Sequence, residues 1–382
     1  MPCHHGGVLI LHLVGRSHRR GAELVAMELA EELDALGHRN ELLAVGEGHE
    51  GTSSEELRVL VRSPNQHPGV LLLAARRLRD VLRTTDPDVI VAHGGSAAQV
   101  ASLASPRPGP ALVWQRILGL PSRLGPVRRA RVTRVLNRVD AVVALTPRLE
   151  AEVRALGFGG LVRVIPNARR TDRFEALDRG RARGELCRDR SIPAERTLVG
   201  LVGHLVEQKD PVAAVDGFAR LVDRGSDAHL VVVGSGPLAG EVRSAIHRRG
   251  LTERTTLLGH VDQVERILGG IDLLWLTSRD EGIPGVLVEA AMAGCPVVTY
   301  PVGDVAEVVE HDVTGVVLRA GDPNVLADVT VDLLADRQRL VTMGQRARSE
   351  SSRWSMDVVV NDYLEVFEAV TGSRQAGSGA AE

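Results

Sequence analysis

The chain has 382 residues, more than one hydrophobic core usually supports, so two domains of roughly 150 to 200 residues are expected. Its 44% hydrophobic and 25% charged residues are typical of a soluble globular protein, and its 2% aromatic residues argue against a stacking surface for single-stranded nucleic acid. The net charge of -3 conceals an asymmetry, because residues 1–190 hold 29 arginines against 21 acidic residues, whereas residues 191–382 hold 17 basic against 28 acidic residues.

Short apolar, β-branched runs alternate with helical stretches along the first half of the chain. The predicted strands are residues 8–14, 40–46, 88–94, 111–117, 140–146 and 161–166. Near-continuous apolar strands that alternate with helices indicate a parallel sheet covered on both faces. The first strand follows "MPCHHGG", which lacks the features of a secretion signal, and no run approaches the ~20 apolar residues that cross a bilayer.

The pattern restarts after the charge-rich segment 167–195, which we interpret as the domain junction. Predicted strands of the second series are residues 197–203, 228–234, 255–261, 272–278, 295–300 and 315–320. The predicted domains are therefore residues 1–175 and 190–352, each a Rossmann-like, doubly wound α/β domain, with a cleft expected at the carboxyl ends of both sheets. An amphipathic helix over 353–371 is expected to pack back on the first domain, and 372–382 to be disordered.

The stretch "SRDEGIPGVLVEAAMAGCPVVTYPVG", residues 278–303, carries the densest candidate chemistry. A strand is predicted to end at Ser278 and a helix to begin near Val286, with a glycine- and proline-rich loop between them. The first amides of a helix have no intrahelical partner, so they can bind a phosphate or a hydroxyl group. Glu281 lies in the loop and Glu289 one turn inside the helix, where each carboxylate either binds a ligand or is simply solvated.

Lys209 is the only lysine of the chain, in which arginine provides the other 45 basic residues. Such a bias is typical of a GC-rich, bacterial genome. An ammonium is a compact charge that several phosphate oxygens can share, whereas a guanidinium is a wide planar fork, so the two are not interchangeable in a tight phosphate site. Lys209 is thus a candidate phosphate ligand, and the alternative is a surface lysine that remained by chance.

The two glutamates have the spacing E-x7-E, and the surrounding "EGIPGVLVEAAMAGCPVV" resembles the signature of the GT4 family of retaining glycosyltransferases. Further segments resemble this family in the expected order: "GAELVAMELAEELDALGH", "DVIVAHG", "VIPNARRTDRF", "VVVGSGPL", "LLGHV" and "PVGDVAEVVEHDVTGVVL". The resemblance implies a GT-B fold, in which two Rossmann-like domains face each other across a cleft. It also implies sugar transfer from a nucleoside-diphosphate sugar without a metal or another cofactor.

By this resemblance, Glu289 holds the ribose hydroxyls of the donor and Glu281 the transferred sugar. The sugar and phosphates would be lined by backbone at Gly282, Ile283, Gly285 and Val286, and the base by backbone that includes His260 and Val261. Family members commonly have G-R-L and a lysine where this chain has Gly203, His204, Leu205 and Lys209. His204 departs from the pattern, and either an imidazolium or Arg279 would replace the missing charge.

Two candidate regions lie in the first half. His93 ends a predicted strand, and the resemblance implies a hydrogen bond from it to the donor sugar, the alternative being a capping or core histidine. The loop 15–23 resembles the family's acceptor-side loop, with Gly15 and Gly21 in place and Arg20 where a second glycine is usual.

The expected donor is a UDP-hexose, with GDP-mannose as the alternative, and the expected acceptor is a small molecule, a saccharide or a lipid-linked sugar. Two other functions stay open. Gly234, Gly236 and Gly240 weakly resemble the fingerprint of an NAD-binding oxidoreductase, and the arginine-rich segment 122–140 suits either a peripheral membrane protein or a buried helix with a solvated basic face.

Metal binding by "DPD", residues 86–88, is a minor alternative, because a turn before a buried strand explains the motif equally well. Three separated cysteines favour a cytoplasmic location, with contact at the inner membrane face as an option. No nucleic-acid partner is expected, and the oligomeric state is left open.

Overall fold

The computed structural model describes residues 7–17, 21–48, 57–120 and 125–378, with side chains through residue 372. The chain divides into two compact units, one containing residues up to Ala168 and from Met356 onward, and the other containing Arg169–Ser355. We call them unit 1 and unit 2. The division lies earlier in the chain than the predicted boundary between 175 and 190.

Unit 1 contains a seven-stranded parallel sheet among its described residues, with the strand order β3-β2-β1-β4-β5-β6-β7. The strands are β1 Leu9–Ser17, β2 Arg39–Glu47, β3 Arg58–Val61, β4 Val89–His93, β5 Ala111–Arg116, β6 Ala141–Ala144 and β7 Leu161–Val164. Its helices are α1 Gly21–Ala35, α2 Pro68–Thr85, α3 Gly95–Ala104, α4 Pro126–Leu136, α5 Pro147–Ala155 and, at the end of the chain, α14 Met356–Ser378. The central strands β4 and β5 are buried along their whole length, as their unbroken apolar runs predict.

Unit 2 contains a six-stranded parallel sheet with the order β10-β9-β8-β11-β12-β13. Its strands are β8 Thr197–Val202, β9 Ala228–Val233, β10 Thr255–Gly259, β11 Leu273–Leu276, β12 Val297–Thr299 and β13 Gly315–Val317. Its α-helices are α6 Asp172–Glu175, α7 Arg179–Asp189, α8 Pro211–Asp223, α9 Ala239–Arg248, α10 Val264–Gly270, α11 Gly285–Ala293, α12 Pro323–Ala335 and α13 Arg337–Glu350. The prediction of two doubly wound α/β domains is confirmed.

The charge-rich segment interpreted as a junction is part of unit 2, because its arginines bind backbone carbonyl groups there. Arg179 donates hydrogen bonds to the carbonyls of Ile271 at 2.7 Å and Ala293 at 3.0 Å. Arg183 pairs with Asp272 at 2.7 Å. Helix ends leave carbonyl groups without intrahelical partners, and Arg179 of α7 donates hydrogen bonds to such groups at the ends of α10 and α11. Polar side chains of α7 therefore help to hold it on unit 2.

Helix α14 packs on unit 1, with its apolar side chains in the same core cluster as those of α1 and the central strands. Its buried residues are Met356, Val359, Val360, Tyr363, Val366, Phe367 and Val370. The helix continues to Ser378, beyond the start of the tail expected to be disordered from 372, because "SRQA" contains residues that are compatible with a helix. Residues 379–382 lie outside the described part of the chain.

Candidate functional site

The strand order of unit 2 brings two of the predicted site segments together. From β8 the chain proceeds to β9 on one side of the sheet, while β11 lies on the other side of β8. In open α/β sheets, ligands bind outside the carboxyl ends of the strands at such a switch point. The loop after β8 contains Gly203, His204 and Lys209, and the loop after β11 contains residues 277–284, so both loops begin at this point.

Backbone contacts between the two loops fix the position of Lys209. The buried hydroxyl group of Thr277 is 3.2 Å from the carbonyl oxygen of Lys209 and 3.0 Å from that of Asp210. The amide of Arg279 donates to the carbonyl of Gln208 at 2.8 Å, and the side chain of Gln208 donates to the carbonyl of Asp280 at 2.7 Å. The backbone on either side of Lys209 is therefore held by the neighbouring loop.

Asp210 adopts a left-handed conformation, with φ of 44°, which is uncommon for a residue other than glycine. Its carboxylate accepts a hydrogen bond from the amide of Ala213 at the start of α8 and pairs with the guanidinium of Arg279 at 2.7 Å. Such strained residues persist only where the surrounding contacts over-determine them. Asp210 directly follows Lys209, and its left-handed conformation turns the chain between Lys209 and the start of α8.

An ion pair joins the two loops, because the ammonium group of Lys209 contacts the carboxylate of Glu281. Glu281 is 8% exposed, whereas the side chain of Lys209 is 25% exposed, so solvent reaches the pair from the lysine side. The sequence singled out both residues separately, and the structure places them in contact. The cation is thus held where a negatively charged ligand can share it.

His204 presents a defined ring nitrogen because Nδ1 contacts the carbonyl oxygen of Ser235. A carbonyl oxygen can only accept, so Nδ1 carries a hydrogen and donates it. In a neutral imidazole Nε2 is then an acceptor, and His204 can donate from Nε2 to a phosphate oxygen only when the ring is protonated.

The carboxylate of Glu289 forms an ion pair with Arg169, at 2.8 Å, and both side chains are nearly buried. A β-carbon at Gly285 would collide with the guanidinium of Arg169, which requires glycine at the first position of α11. Sequence reasoning missed Arg169, which belongs to the segment "NARR" that the family resemblance had already marked. Glu289, Gly285 and Arg169 thus form one packed group.

Glu281, Gly282 and Ile283 are buried, and α11 begins at Gly285, one residue before the predicted start. Val286 lies in the first turn of this helix and Pro284 is its N-cap residue. The side chain of His260 is 68% exposed and 3.2 Å from Asp262, in the loop with Val261 after the edge strand β10. One strand, β9, lies between β8 and β10, and all three strands are parallel, so this loop lies at the same edge of the sheet as the loop after β8.

Two of the three glycines that resemble a dinucleotide fingerprint, Gly234 and Gly236, have a packing role, whereas a β-carbon at Gly240 would meet no neighbouring atom. A β-carbon at Gly234 would meet the carbonyl group of Gly203, and one at Gly236 would meet that of Leu205. The amide of Leu205 donates to the carbonyl of Ser235 at 2.9 Å. These glycines therefore permit the close approach of the loop after β8.

The "DPD" motif lies at the amino end of β4, where Asp86 ends α2 in a left-handed conformation and Asp88 accepts a hydrogen bond from the amide of Leu9 at 2.8 Å. In the described part of the chain, no group of three histidine, cysteine or acidic side chains is arranged to hold a metal ion.

In unit 1 the corresponding switch point lies between β1 and β4. Around Gly15, at the end of β1, lie the hydroxyl of Ser96 and the carboxylate of Glu23, and the side chain of Gln66 donates to the carbonyl of Gly15 at 2.9 Å. Gly21 starts α1, whereas Arg20 lies outside the described residues. Gln66 and Glu23 were not singled out from the sequence.

His93 is at the carboxyl end of β4, as predicted, but it is only 2% exposed. Its Nε2 is 3.1 Å from Nδ1 of His12, and its Nδ1 is 2.6 Å from the amide group of Gln115. His12 in turn lies 3.1 Å from Asn40, and Gln115 lies 2.8 Å from the hydroxyl of Tyr363. Both ring nitrogens of His93 thus have partners within unit 1.

Burial lowers the pKa of both histidines. The pKa of His12 falls to about 4, because burial outweighs its hydrogen bond to Asn40 and the charge of Asp34. The pKa of His93 falls to about 3, because burial and the neighbouring His12 disfavour its charged form. Both rings are therefore neutral at pH 7.

Comparison with known proteins places this site in context. The family model described as "Glycosyl transferases group 1" matches residues 183–350, and the model described as "Glycosyl transferase 4-like domain" matches residues 20–168. A 2-deoxystreptamine glucosyltransferase of Streptomyces kanamyceticus is 34% identical over 181 residues, which are 46% of each chain, so the match spans about half of that relative. An N-acetyl-alpha-D-glucosaminyl L-malate synthase of Bacillus anthracis is 23% identical over 91% of this chain and 93% of its own.

Among solved structures, Anabaena Alr3699/HepE in complex with UDP-glucose superposes with a TM-score of 0.80 and 22% identity, covering 95% of this chain and 100% of that one. Two parallel-sheet α/β units and this likeness show a GT-B fold. The two family models together span most of the chain, which belongs to the GT4 family of glycosyltransferases.

The buried histidines make unit 1 sensitive to acid. Because the folded pKa values lie below the unfolded value of about 6.5, the unfolded chain binds protons first as the pH falls. Above pH 6.5 the two rings make no contribution to the pH dependence of the free energy of unfolding. From pH 6.5 down to about pH 4, each ring lowers the free energy of unfolding progressively. Between pH 7 and pH 5 we expect a loss of about 2 kcal/mol for each ring.

Hydrogen exchange of peptides from β1 and β4, corrected for the intrinsic rate at each pH, measures this loss. Peptides from β11 and β12 provide an internal control, because no histidine lies in those strands. Equal protection of β1 and β4 at pH 7 and pH 5 would contradict the prediction.

The tautomer of His204 predicts a pH-dependent affinity for UDP. Only the protonated ring can donate to a phosphate oxygen, so the dissociation constant should rise by up to tenfold per pH unit between the ring's pKa in the free protein and its higher pKa in the complex, and then level off. Titration calorimetry between pH 6 and pH 8 compares the parent with His204→Arg, whose charge is constant in this range. Parallel pH profiles of the two proteins would reject the role of His204.

Proposed function

We propose that this protein is a retaining glycosyltransferase that moves a hexosyl group from UDP-hexose to a hydroxyl group of the acceptor without a metal ion or another cofactor. The observation that carries the proposal is the contact between Lys209 and Glu281 at the carboxyl ends of β8 and β11. It offers one cation for a diphosphate and, beside it, one carboxylate for a sugar hydroxyl. Alr3699/HepE, whose fold this chain shares, has been solved with UDP-glucose, which supports a UDP-sugar as the donor.

In the proposed reaction, the bond between the anomeric carbon and the diphosphate oxygen breaks while the acceptor oxygen bonds to the same face of that carbon. Because the new bond forms on the face that the diphosphate leaves, the sugar keeps its configuration, and the acceptor's proton passes to the departing phosphate oxygen. Lys209 stabilises the negative charge that develops on the diphosphate, and the amides of Gly282, Ile283, Gly285 and Val286 extend this stabilisation. Donor binding draws the ammonium of Lys209 away from Glu281, and the freed carboxylate then accepts from the sugar.

Two other residues complete the donor site in this proposal. Glu289, oriented by Arg169, binds the ribose hydroxyls through the carboxylate oxygen that does not face the guanidinium. Arg279, paired with Asp210 at 2.7 Å and 59% exposed, lies near enough in the loop to add a second charge at the diphosphate. His260 and Val261 present backbone to the base.

The acceptor is proposed to be a small molecule, a saccharide or a lipid-linked sugar that reaches unit 1. Its hydroxyl groups would meet Glu23, Gln66 and Ser96 around Gly15. The excess of arginine over acidic residues in residues 1–190 suits an acceptor that carries a phosphate or a carboxylate.

Replacement of Lys209 tests the function directly. We expect Lys209→Met to lower kcat for donor hydrolysis about 100- to 1,000-fold, because the departing charge loses its cation. The donor is first identified by measuring hydrolysis of UDP-, GDP- and ADP-hexoses by the parent protein. Arg248→Met, which removes an exposed cation from α9 of the same unit, is the matched control. Turnover of Lys209→Met equal to that of the control would overturn the proposal.

A membrane surface is a second proposed partner, favoured by the exposure of α4. All residues from Gly125 to Arg131 are exposed, Val127 to 73%, and they include Arg128, Arg129 and Arg131. The apolar side chains at the end of the arginine-rich segment 122–140 are not available to lipid, because Val135, Leu136 and Val139 are buried in unit 1. Residues 122–124 of the predicted basic segment lie outside the described part of the chain, in which no helix is long and apolar enough to cross a membrane.

Vesicle co-sedimentation tests this partner. Three arginines near an anionic surface contribute about 1 kcal/mol each, so replacing Arg128, Arg129 and Arg131 with glutamine should reduce binding to phosphatidylserine vesicles about 100-fold. A control variant replaces three exposed arginines of unit 2, Arg243, Arg248 and Arg346. Equal binding of the two variants would exclude α4 as the contact.

A further inference from the structure

Five polar side chains of unit 1 form a continuous line across the sheet: Asn40, His12, His93, Gln115 and Tyr363. They belong to β2, β1, β4, β5 and α14, which is the spatial order of these strands followed by the helix that packs on them. The two imidazole rings are stacked, with centroids 5.4 Å apart. Buried polar groups of this kind need partners for every donor and acceptor, and this requirement fixes the direction of the line.

Asn40 sets the direction at one end. Its amide nitrogen is 2.8 Å from the carboxylate of Asp34 and 3.2 Å from the carbonyl of Ala30. Both of these partners accept hydrogen bonds, so the nitrogen donates to them and the amide oxygen faces His12. That oxygen is 3.1 Å from Nε2 of His12, which must therefore carry a hydrogen.

The same matching of donors to acceptors determines the hydrogen positions of the next groups in the line. A neutral His12 with its hydrogen on Nε2 has a bare Nδ1, which accepts from Nε2 of His93. A neutral His93 then has a bare Nδ1, which needs a donor from the amide group of Gln115. The two ends of that amide group have almost the same shape, so a half-turn places its nitrogen toward His93 and its oxygen toward the hydroxyl of Tyr363 without moving other atoms.

A second arrangement keeps the oxygen of Gln115 toward His93, as in the structure, but it requires one additional proton. His12 would then be an imidazolium ion that donates to both Asn40 and His93, and the hydroxyl of Tyr363 would accept from Gln115. This arrangement places a positive charge on the ring of His12, next to the ring of His93, and both rings are buried, so the charge is costly. The neutral arrangement leaves no group of the line charged or unmatched.

We infer that these side chains form a one-way chain of hydrogen bonds, from the hydroxyl of Tyr363 to the carboxylate of Asp34, in which both histidines carry their hydrogen on Nε2. Tyr363 is the positioning residue that closes the chain. Both nitrogens of His93 are used inside unit 1, so His93 aligns the carboxyl ends of β1, β4 and β5 rather than binding the donor sugar. Gly94, whose amide donates to the carbonyl of Gln115 at 3.0 Å, then leads into α3 at the switch point.

Long-range 1H–15N NMR of the full chain labelled with 15N-histidine tests the inference at pH 7.5. We expect two histidines with a bare Nδ1 and a protonated Nε2, unchanged by saturating UDP-glucose. Asn40→Leu removes the acceptor that sets the direction of the line, and a second tautomer of His93 should appear at comparable population, whereas Tyr363→Phe leaves that acceptor in place and should keep a single tautomer. Phe367→Leu, which alters a neighbouring ring on the same helix, is the control and should keep a single tautomer.

The resonances are assigned from their loss in His12→Asn and His93→Asn. If these variants do not fold, the two buried rings are recognised because they do not titrate between pH 6 and pH 8. A hydrogen on Nδ1 of either ring, a single tautomer retained in Asn40→Leu, or a change at His93 on adding UDP-glucose would each overturn the inference. The tautomers are measured in the free protein, so this result is independent of whether Lys209→Met confirms the proposed function.

Discussion

The parallel arrangement of the strands is the constraint on which the candidate site depends. Because every strand of unit 2 points the same way, the segments after β8 and β11 emerge at one edge, although about 70 residues separate them along the chain. Lys209 and Glu281 meet there as a consequence of strand order. The ion pair would have little value on an exposed surface, but a nearly buried carboxylate and a lysine held through its backbone define a fixed charge.

Both units connect their elements through polar side chains that are buried or partly buried. In unit 2 the arginines at 169, 179 and 183 bind a carboxylate or the carbonyl groups at helix ends. In unit 1 the pair His12 and His93 joins adjacent strands and, through Gln115, the last helix. Such groups destabilise a fold when one partner is missing, so they favour a single arrangement of the elements that they connect.

The fold could be predicted from the sequence because apolar runs mark buried parallel strands. Only β3 was missed among the described strands, since Arg58–Val61 is a short edge strand beside charged residues. The roles of Lys209 and Glu281 followed from the family resemblance, but their contact was not predicted, because it depends on the order of the strands. Arg169 escaped prediction because its partner is 120 residues away and its segment reads as a charged linker. The contact of His12 with His93 requires knowledge that β1 and β4 are neighbours.

The arginine bias of this chain has a practical consequence. Since Lys209 is the sole lysine, it provides the only side-chain amine available to acylating reagents. Its amine reacts only where a reagent can reach it, and a polyphosphate bound beside the contact with Glu281 would block that approach. The rate of modification by an activated ester therefore reports the occupancy of one defined place in the molecule, without an introduced label.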